Sequence, residues 1–270
     1  MNAMRSTSLS RRLVGALAVA TLLFICLPVA IVVPMSFSAA TSLEFPPPAF
    51  SLRWYDSFFS DLRWMQALRN SIVVALASSL AALLLGSLAA YGLVRGVFRG
   101  RASIELNFAV PMVIPHIITA IALYIAFARI GLLGSLFGLI VAHTVLAAPY
   151  VVLVMSVALG ELDPRIEQVA YTLGARWPTV LLKIVAPNLV PSLVAAWIFA
   201  FIVSFDEITV TVFLAGANDT VPKRMFTQLL ERVDPTITAI ATLLIVISVA
   251  SVAVIAWLMK RSGLLARIQR

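Results

Sequence analysis

The 270-residue chain is 61% hydrophobic and 12% charged, whereas soluble domains usually have about 45–50% and about 25%. This composition excludes an ordinary soluble protein and leaves room for about six membrane-spanning helices with short loops. The net charge of +8 does not indicate a nucleic-acid partner, because the basic residues cluster at the ends of apolar runs. The single cysteine, Cys26, lies in an apolar run, so neither a disulfide framework nor a metal site is predicted.

Six apolar runs of about 20–27 residues are each long enough for a helix to cross the roughly 30 Å core of a bilayer. The first run follows basic residues, as a signal peptide does. It exceeds the about 7–15 residues of a signal-peptide core and lacks a convincing cleavage site, so we expect a retained span. The sequence therefore predicts an all-α integral membrane protein. The predicted spans are Leu13–Val33, Ser71–Val94, Asn107–Ala128, Leu133–Leu159, Leu189–Leu214 and Ile237–Met259.

The distribution of basic residues predicts the orientation of these spans. With the N-terminus inside, 13 of the 20 lysines and arginines lie on the inner side, which favours cytoplasmic termini. The chain then divides into a cytoplasmic N-terminus (1–12), a six-span domain (13–260) and a cytoplasmic tail (261–270). Within the six-span domain, residues 34–69 form an outer segment and residues 160–188 form an inner loop.

The outer segment contains a run of three prolines, Pro46–Pro48, that predicts extended polyproline II structure. An interfacial amphipathic helix is expected after it, with an irregular loop as the alternative. Asn70-Ser71 is a candidate N-cap for the second span, and Asp234-Pro235 is a helix-start signal before the sixth. The apolar residues that recur at near-helical spacing are Trp54, Phe58, Met65 and Leu68.

Prolines lie within the middle spans: Pro111 and Pro115 in the third and Pro149 in the fourth. Proline leaves a helical carbonyl without its partner, which membrane helices tolerate where protein or a water-filled cavity supplies a donor. The prolines fit helices that line a moving pathway, and they fit kinks in packed spans equally well. Small residues of the second span, among them Gly86 and Ala90, predict close helix packing.

A polar segment, residues 161–187, separates the fourth span from the fifth. Asp163-Pro164 predicts a helix start, because an acceptor at the N-cap precedes a proline whose missing N–H is not needed there. Gly174 is expected to end that helix, since glycine adopts the left-handed conformation without steric cost. Trp177-Pro178 predicts the start of a second helix, which we expect Pro187 to stop. The result is a compact helix-turn-helix suited to binding another protein.

This spacing resembles the cytoplasmic signature loop of ABC-importer permeases: Glu-Ala-Ala, three residues, Gly, nine residues, then Ile-x-Leu-Pro. Gln168, Val169 and Ala186 depart from that pattern, and Glu167 is a candidate for the displaced carboxylate. The resemblance implies that the segment couples the chain to an ATPase; an ordinary interhelical loop is the alternative. The coupling residues that it implies are Glu167, Gln168, Val169, Ala170, Gly174, Ala175, Ile184 and Pro187.

Two acids, Asp206 and Glu207, lie late in the predicted fifth span. Each costs about 2.5–3.5 kcal/mol to insert at membrane depth, so such groups usually face a partner or a watery path. On an unbroken helix they point about 100° apart, so we expect one to line a pathway while the other bonds a neighbour. With Phe205 and Phe213, a carboxylate here would attract an organic cation. The alternative is purely structural pairing.

The stretches SFDEITVTVFLAG and GANDTVPKRMFTQLLE resemble permeases of polyamine-type importers, which carry spermidine, putrescine and related small solutes. With FPPPAFSLRWYDSFF, the resemblance extends from about residue 13 to about residue 260. It implies a type I ABC-importer permease of a bacterial inner membrane, paired with a second, non-identical permease. It also implies two ATPase subunits, which would bind ATP and Mg²⁺, and a periplasmic substrate-binding protein; the permease itself would bind no cofactor.

Enzyme motifs are absent from the sequence. It has no P-loop, H-E-x-x-H, paired cysteines or G-x-S-x-G, so no catalytic residue is predicted. His116 and His143 stand alone in separate spans and are expected to be hydrogen-bonded packing residues rather than ligands. Two other functions stay open. One is a self-contained secondary transporter or channel, for which inverted repeats and acids in several spans are expected; the other is a membrane scaffold.

Overall fold

A computed structural model describes residues 2–231 and 234–261 and is helical almost throughout. In those residues the only β feature is one antiparallel bridge, between Ser38 and Phe50. The chain divides into two compact units, the first comprising residues 1–61 and 228–246 and the second residues 62–227 and 247–270. Arg232 and the predicted tail beyond Arg261 lie outside the described residues. The all-α prediction is confirmed.

Thirteen α-helices and one π-helical segment are present in the described ranges. They are α1 Asn2–Ser36, α2 Arg53–Ser60, α3 Leu62–Arg95, α4 Arg101–Val113, α5 His116–Ile130, α6 Leu136–Glu161, α7 Arg165–Thr172, α8 Trp177–Val180, the π-helical segment Leu181–Val185, α9 Ala186–Asn188, α10 Val190–Phe205, α11 Thr209–Leu214, α12 Val221–Glu231 and α13 Thr236–Arg261.

Four stretches of these helices are long and apolar enough to cross a membrane by length and composition: Leu13–Ser36, Leu62–Arg95, Leu136–Glu161 and Thr236–Val254. Two bent helix pairs, α4–α5 and the pair formed by residues 177–188 and α10, bring the number to six if each pair is one span. The first pair bends by 105° and the second by 81°. The third predicted span is therefore not one continuous helix.

The bend between α4 and α5 lies at Ile114 and Pro115. Both residues are extended, with ψ angles of 132° and 131°. A residue that precedes proline is pushed out of the α region, so Ile114 ends α4 and the chain restarts at His116. Of the two prolines in this span, Pro111 stays inside α4, and Pro115 marks the break.

The fifth predicted span is also interrupted. The prediction of an unbroken helix through Asp206 was wrong. Helix α10 ends at Phe205, and α11 begins at Thr209. The Glu207 side chain accepts a hydrogen bond from the Val210 backbone N–H at 2.8 Å, which caps the start of α11. The two acids therefore occupy a break between helices rather than adjacent positions of one helix.

In the second unit, α3, α6 and α10 pack around small side chains. A Cβ built on Gly86 of α3 would lie 2.8 Å from the Cβ of Val151 on α6, so no larger residue fits there without movement. Ala82 and Ala90 lie four residues before and four residues after Gly86, on the same buried face of α3. The predicted close packing of the second span is confirmed at this crossing.

Helix α3 starts before the predicted second span, and the expected N-cap at Asn70-Ser71 was wrong. Both residues are buried inside α3, which begins at Leu62. The Asn70 side-chain amide donates to the Asp219 carbonyl at 2.9 Å, and the Ser71 hydroxyl accepts from the Val221 N–H at 2.8 Å. Residues with cap chemistry here bind a distant loop instead of the first turn of their own helix.

The predicted single amphipathic helix in the outer segment was also wrong. It is divided at Asp61, whose extended backbone (ψ 115°) ends α2. Trp54 and Phe58 lie buried on α2, within the first unit, whereas Met65 and Leu68 belong to α3, within the second.

The predicted helix start at Asp234-Pro235, before the sixth span, is confirmed: the Asp234 carboxylate accepts from the Thr236 N–H at 2.8 Å.

Two loops of the second unit touch backbone to backbone. The Gly134 N–H donates to the Leu214 carbonyl at 2.9 Å, and the Asn218 side chain donates to the Gly134 carbonyl at 2.7 Å. A Cβ on Gly216, where φ is +56°, would lie 3.1 Å from the Gly134 Cα. These contacts hold the α5–α6 loop against the end of α11.

Candidate functional site

The segment between α6 and α10 forms the predicted helix-turn-helix. The Asp163 carboxylate accepts from the Arg165 N–H at 2.9 Å at the start of α7, and α8 begins at Trp177. Gly174 has a φ of +83°, the left-handed region that glycine enters freely. The Ala175 N–H donates back to the Ala170 carbonyl at 3.0 Å and closes the turn. The three local signals of this segment are confirmed.

Pro187 does not stop the second helix of this segment, contrary to the prediction. The chain passes from α8 through the π-helical turn Leu181–Val185 into α9, and helical structure continues to Asn188. The wider turn accommodates a proline that lacks a donor and would crowd the carbonyl four residues earlier. The Asn188 side chain adds a donor by bonding the Ile184 carbonyl at 2.7 Å.

Glu167 points inward and anchors the segment to the end of α3. Its Oε1 lies 2.8 Å from Nε of Arg95, and its Oε2 accepts from the Tyr91 hydroxyl at 2.7 Å. Arg95 also donates from Nη2 to the Leu162 carbonyl at 2.8 Å. The Glu167 side chain is only 5% exposed. A sequence separation of more than 70 residues gave no local signal for this anchor.

The other predicted coupling residues divide between an exposed face and a packed face. Val169 is 58% exposed and Leu173 next to the turn is 83% exposed, a high value for apolar side chains. Gln168, Gly174 and Pro187 are also exposed, whereas Ala170 is buried and Ala175 and Ile184 pack partly against the core of the second unit. The segment thus presents exposed apolar groups around its turn while its other face is fixed in place.

An open cavity of about 690 Å³ lies beside the Glu167 anchor. Its wall includes the rings of Tyr91, Tyr171 and Trp177, and the Tyr91 and Trp177 rings meet edge to face at 6.1 Å. The aromatic contact connects α3 to α8, in addition to the connection that Glu167 makes from α7 to α3. The end of α3 and the helix-turn-helix therefore form one packed element.

The two acids of the α10–α11 break have different environments. Asp206 is exposed, and no hydrogen bond or ion pair of its carboxylate is present within the described residues. Glu207 is buried, and its Oε2 lies 3.0 Å from Nδ1 of His116 at the start of α5. The expectation that one of the two acids bonds a neighbouring helix fits Glu207, although the geometry is that of a break rather than a helix. The expectation that the other acid lines a pathway stays a prediction.

Phe205 and Phe213, the two aromatic residues predicted to act with these acids, differ in burial. Phe205 is buried and stacks on Phe201 with ring centroids 5.4 Å apart, whereas Phe213 on α11 is 37% exposed. Phe205 therefore packs the end of α10. Because its ring is buried against Phe201, it does not offer an exposed aromatic surface beside Asp206.

The two histidines also differ. His143 is buried, with Nδ1 2.8 Å from the Ser204 hydroxyl and Nε2 3.0 Å from the Thr211 hydroxyl, which confirms its predicted packing role. The Ser204 hydroxyl is in turn bonded by Ser78 at 2.8 Å, so the network joins α3, α6, α10 and α11. His116 is instead 41% exposed in its side chain and contacts Glu207, a role that its isolated position in the sequence did not indicate.

A family model described as binding-protein-dependent transport system inner membrane component matches residues 82–263, about two thirds of the chain. This range contains the helix-turn-helix, the Glu167 carboxylate and the α10–α11 break. The chain belongs to this family. It is a multi-pass transmembrane component of such a transport system, and a transporter that works alone or a non-transporting scaffold no longer fits.

Named relatives extend the match over most of the permease. It is 32% identical over 204 residues to the spermidine/putrescine transport system permease protein PotC of Haemophilus influenzae, covering 75% of this chain and 79% of the relative. It is 33% identical over 242 residues to the putrescine transport system permease protein PotI of Escherichia coli K12, covering 87% and 85%.

Solved structures of the same fold include permease chains of two importers. A chain of a bacterial ABC transporter involved in import of the acidic polysaccharide alginate gives a TM-score of 0.67 at 18% identity, covering 93% of this permease and 97% of that chain. A chain of the MetNI methionine ABC transporter gives 0.55 at 17% identity, covering 76% and 94%. These likenesses establish the ABC-importer permease fold.

Proposed function

We propose that this chain is one permease of an ATP-driven importer that moves polyamines, such as spermidine and putrescine, into the cytoplasm by alternating access. The observation that carries the proposal is the match to two polyamine permeases over most of both chains. The Asp206 carboxylate is exposed and has no side-chain partner among the residues that the structure describes, which supports a cationic solute, because a charge at membrane depth favours a counter-charge.

The proposal includes the other subunits of the importer. A second, non-identical permease pairs with this one in the inner membrane, with the termini of this chain in the cytoplasm. A periplasmic binding protein delivers the solute, and two ATPase subunits dock from the cytoplasm. ATP and Mg²⁺ bind to the ATPases, and this chain binds no cofactor.

The helix-turn-helix is the docking element for one ATPase in this proposal. Val169, Leu173 and Gly174 surround the turn and are exposed, which suits a surface covered by another protein. Movement of the docked ATPase reaches the membrane helices through Glu167, because its carboxylate is bonded to Arg95 at the end of α3. Differential contacts of the ATPase in its two states drive the exchange between inward and outward openings.

Uptake of labelled putrescine and spermidine tests this function. Cells that carry this permease with its neighbouring transport genes are expected to accumulate both amines with an active ATPase and to lose accumulation with an ATPase-dead partner. An assembled complex that takes up neither amine would refute the polyamine assignment. Uptake that is indifferent to the ATPase would refute the importer.

Asp206→Asn is expected to raise the KM for polyamine uptake by about fivefold, since a charge contact of an exposed side chain is worth up to about 1 kcal/mol. The substitution keeps the size of the side chain and removes only its charge. The measurement is initial uptake rate against amine concentration, normalised to assembled complex in the membrane. A matched loss of assembly and uptake, with the KM unchanged, would instead assign Asp206 a structural role.

A further inference from the structure

Two helix breaks of the second unit meet at one side-chain contact. His116 is the first residue of α5, directly after the extended Ile114-Pro115, and Glu207 lies in the break between α10 and α11. Nδ1 of the imidazole is 3.0 Å from Oε2 of the carboxylate. An imidazole with its proton on Nδ1 donates a hydrogen bond across this distance.

Each oxygen of the Glu207 carboxylate has a partner within this chain. Oε1 accepts from the Val210 N–H at 2.8 Å, and Oε2 meets His116. The Glu207 side chain is 5% exposed, whereas the His116 side chain is 41% exposed, so the imidazole lies on the open side of the contact. Asp206, the neighbouring acid, is exposed and has no side-chain partner within the described residues.

We propose that His116 is a specificity-determining residue: its imidazole masks Glu207, so that an organic cation at this break meets the Asp206 carboxylate alone. The proposal rests on the proposed transport of amines through this break. One open carboxylate binds one ammonium group, whereas two would favour a cation that carries several ammonium groups. The imidazole therefore determines how many ammonium groups of the solute can each bind a carboxylate at the break.

Removing the imidazole is expected to change the preference between amines. In His116→Ala the Glu207 carboxylate is uncovered, and the KM for spermidine, a triamine, should fall relative to that for putrescine, a diamine. A single partly exposed charge contact is worth up to about 1 kcal/mol, so the expected change in the KM ratio is about fivefold. His116→Gln keeps a side-chain donor toward Glu207 and should retain the wild-type ratio.

The double variant His116→Ala/Glu207→Gln separates unmasking from general damage. With no carboxylate to uncover, its KM ratio should return to the wild-type value. A ratio that stays altered in the double variant, or a His116→Ala ratio equal to wild type, would overturn the proposal. The assay uses the assembled importer in membrane vesicles with its ATPase and binding protein.

Thiol labelling tests the masking without reference to the solute. In a Cys26→Ser background, which removes the single native cysteine of this chain, Asp206→Cys should react readily with a charged thiol reagent and Glu207→Cys about tenfold more slowly. Adding His116→Ala should raise the Glu207→Cys rate toward that of Asp206→Cys. Equal rates at 206 and 207 with His116 intact would refute the masking. If the wild type transports neither amine, the polyamine function fails, and these labelling rates still decide the role of His116.

Discussion

Replacing Arg95 with alanine is expected to lower ATP-driven uptake by more than about tenfold at matched levels of assembled complex. The substitution leaves the buried Glu167 carboxylate without its cation and removes the donor to the Leu162 carbonyl. Breaking a buried ion pair from one side costs about 3–5 kcal/mol, which weakens the attachment of the helix-turn-helix to α3. Uptake and protease sensitivity of the segment 161–187 in inside-out vesicles measure the effect.

Arg99→Ala is the matched control for this prediction. It removes the same charge four residues further along, from an exposed side chain with no contact to Glu167. Arg95→Lys should restore uptake only in part, because one ammonium group does not reproduce the two directed N–H bonds of the guanidinium. Equal effects of Arg95→Ala and Arg99→Ala would show that the anchor does not transmit the ATPase movement.

Gly174→Val is expected to reduce ATP-driven uptake about tenfold without lowering the amount of protein in the membrane. The φ of +83° at Gly174 costs a side-chain-bearing residue roughly 1–2 kcal/mol, and more for a β-branched one. A Cβ at this position meets no atom within 4 Å, so the effect arises from the backbone and not from a clash. A shifted turn moves the exposed groups of α7 away from those of α8.

Two substitutions make this test specific. Gly174→Asn should retain most uptake, because asparagine enters the left-handed region more readily than valine does. Gly160→Ala places a Cβ in open space on a regular helix and should be neutral. Normal uptake and normal coupling to ATP hydrolysis in Gly174→Val would contradict the docking role of the turn.

Local chemistry predicted the parts of this fold that depend on neighbouring residues. Hydropathy located the apolar spans, and the caps at Asp163 and Asp234 and the turn at Gly174 follow from single residues and their immediate context. The prolines indicated that the helix of the third span is interrupted, but they did not indicate that the break lies at Pro115 and not at Pro111. The same rule disfavours the α region for the residue before each proline, so local sequence alone does not say which of the two ends the helix.

Contacts between distant residues account for what the sequence missed. Asn70 has cap chemistry, but its partner is the Asp219 carbonyl, nearly 150 residues away. The helix was predicted to continue through Asp206 because apolar residues resume after Glu207; instead, the Glu207 side chain accepts from the Val210 N–H in the first turn of a new helix, α11. Arg95 was counted only as an inner positive charge, although it holds Glu167. Spacing along the chain contains no signal for such pairs.

The backbone contact between Gly134 and Gly216 has an evolutionary consequence. Since the two loops pack against each other, with a Cβ on Gly216 only 3.1 Å from the Gly134 Cα, a side chain at position 216 requires the α5–α6 loop to move. Among related chains, an insertion in residues 131–135 is expected to coincide with a compensating change in residues 214–218. The sequences of these two short loops should therefore change together during evolution, even though about 80 residues separate them along the chain.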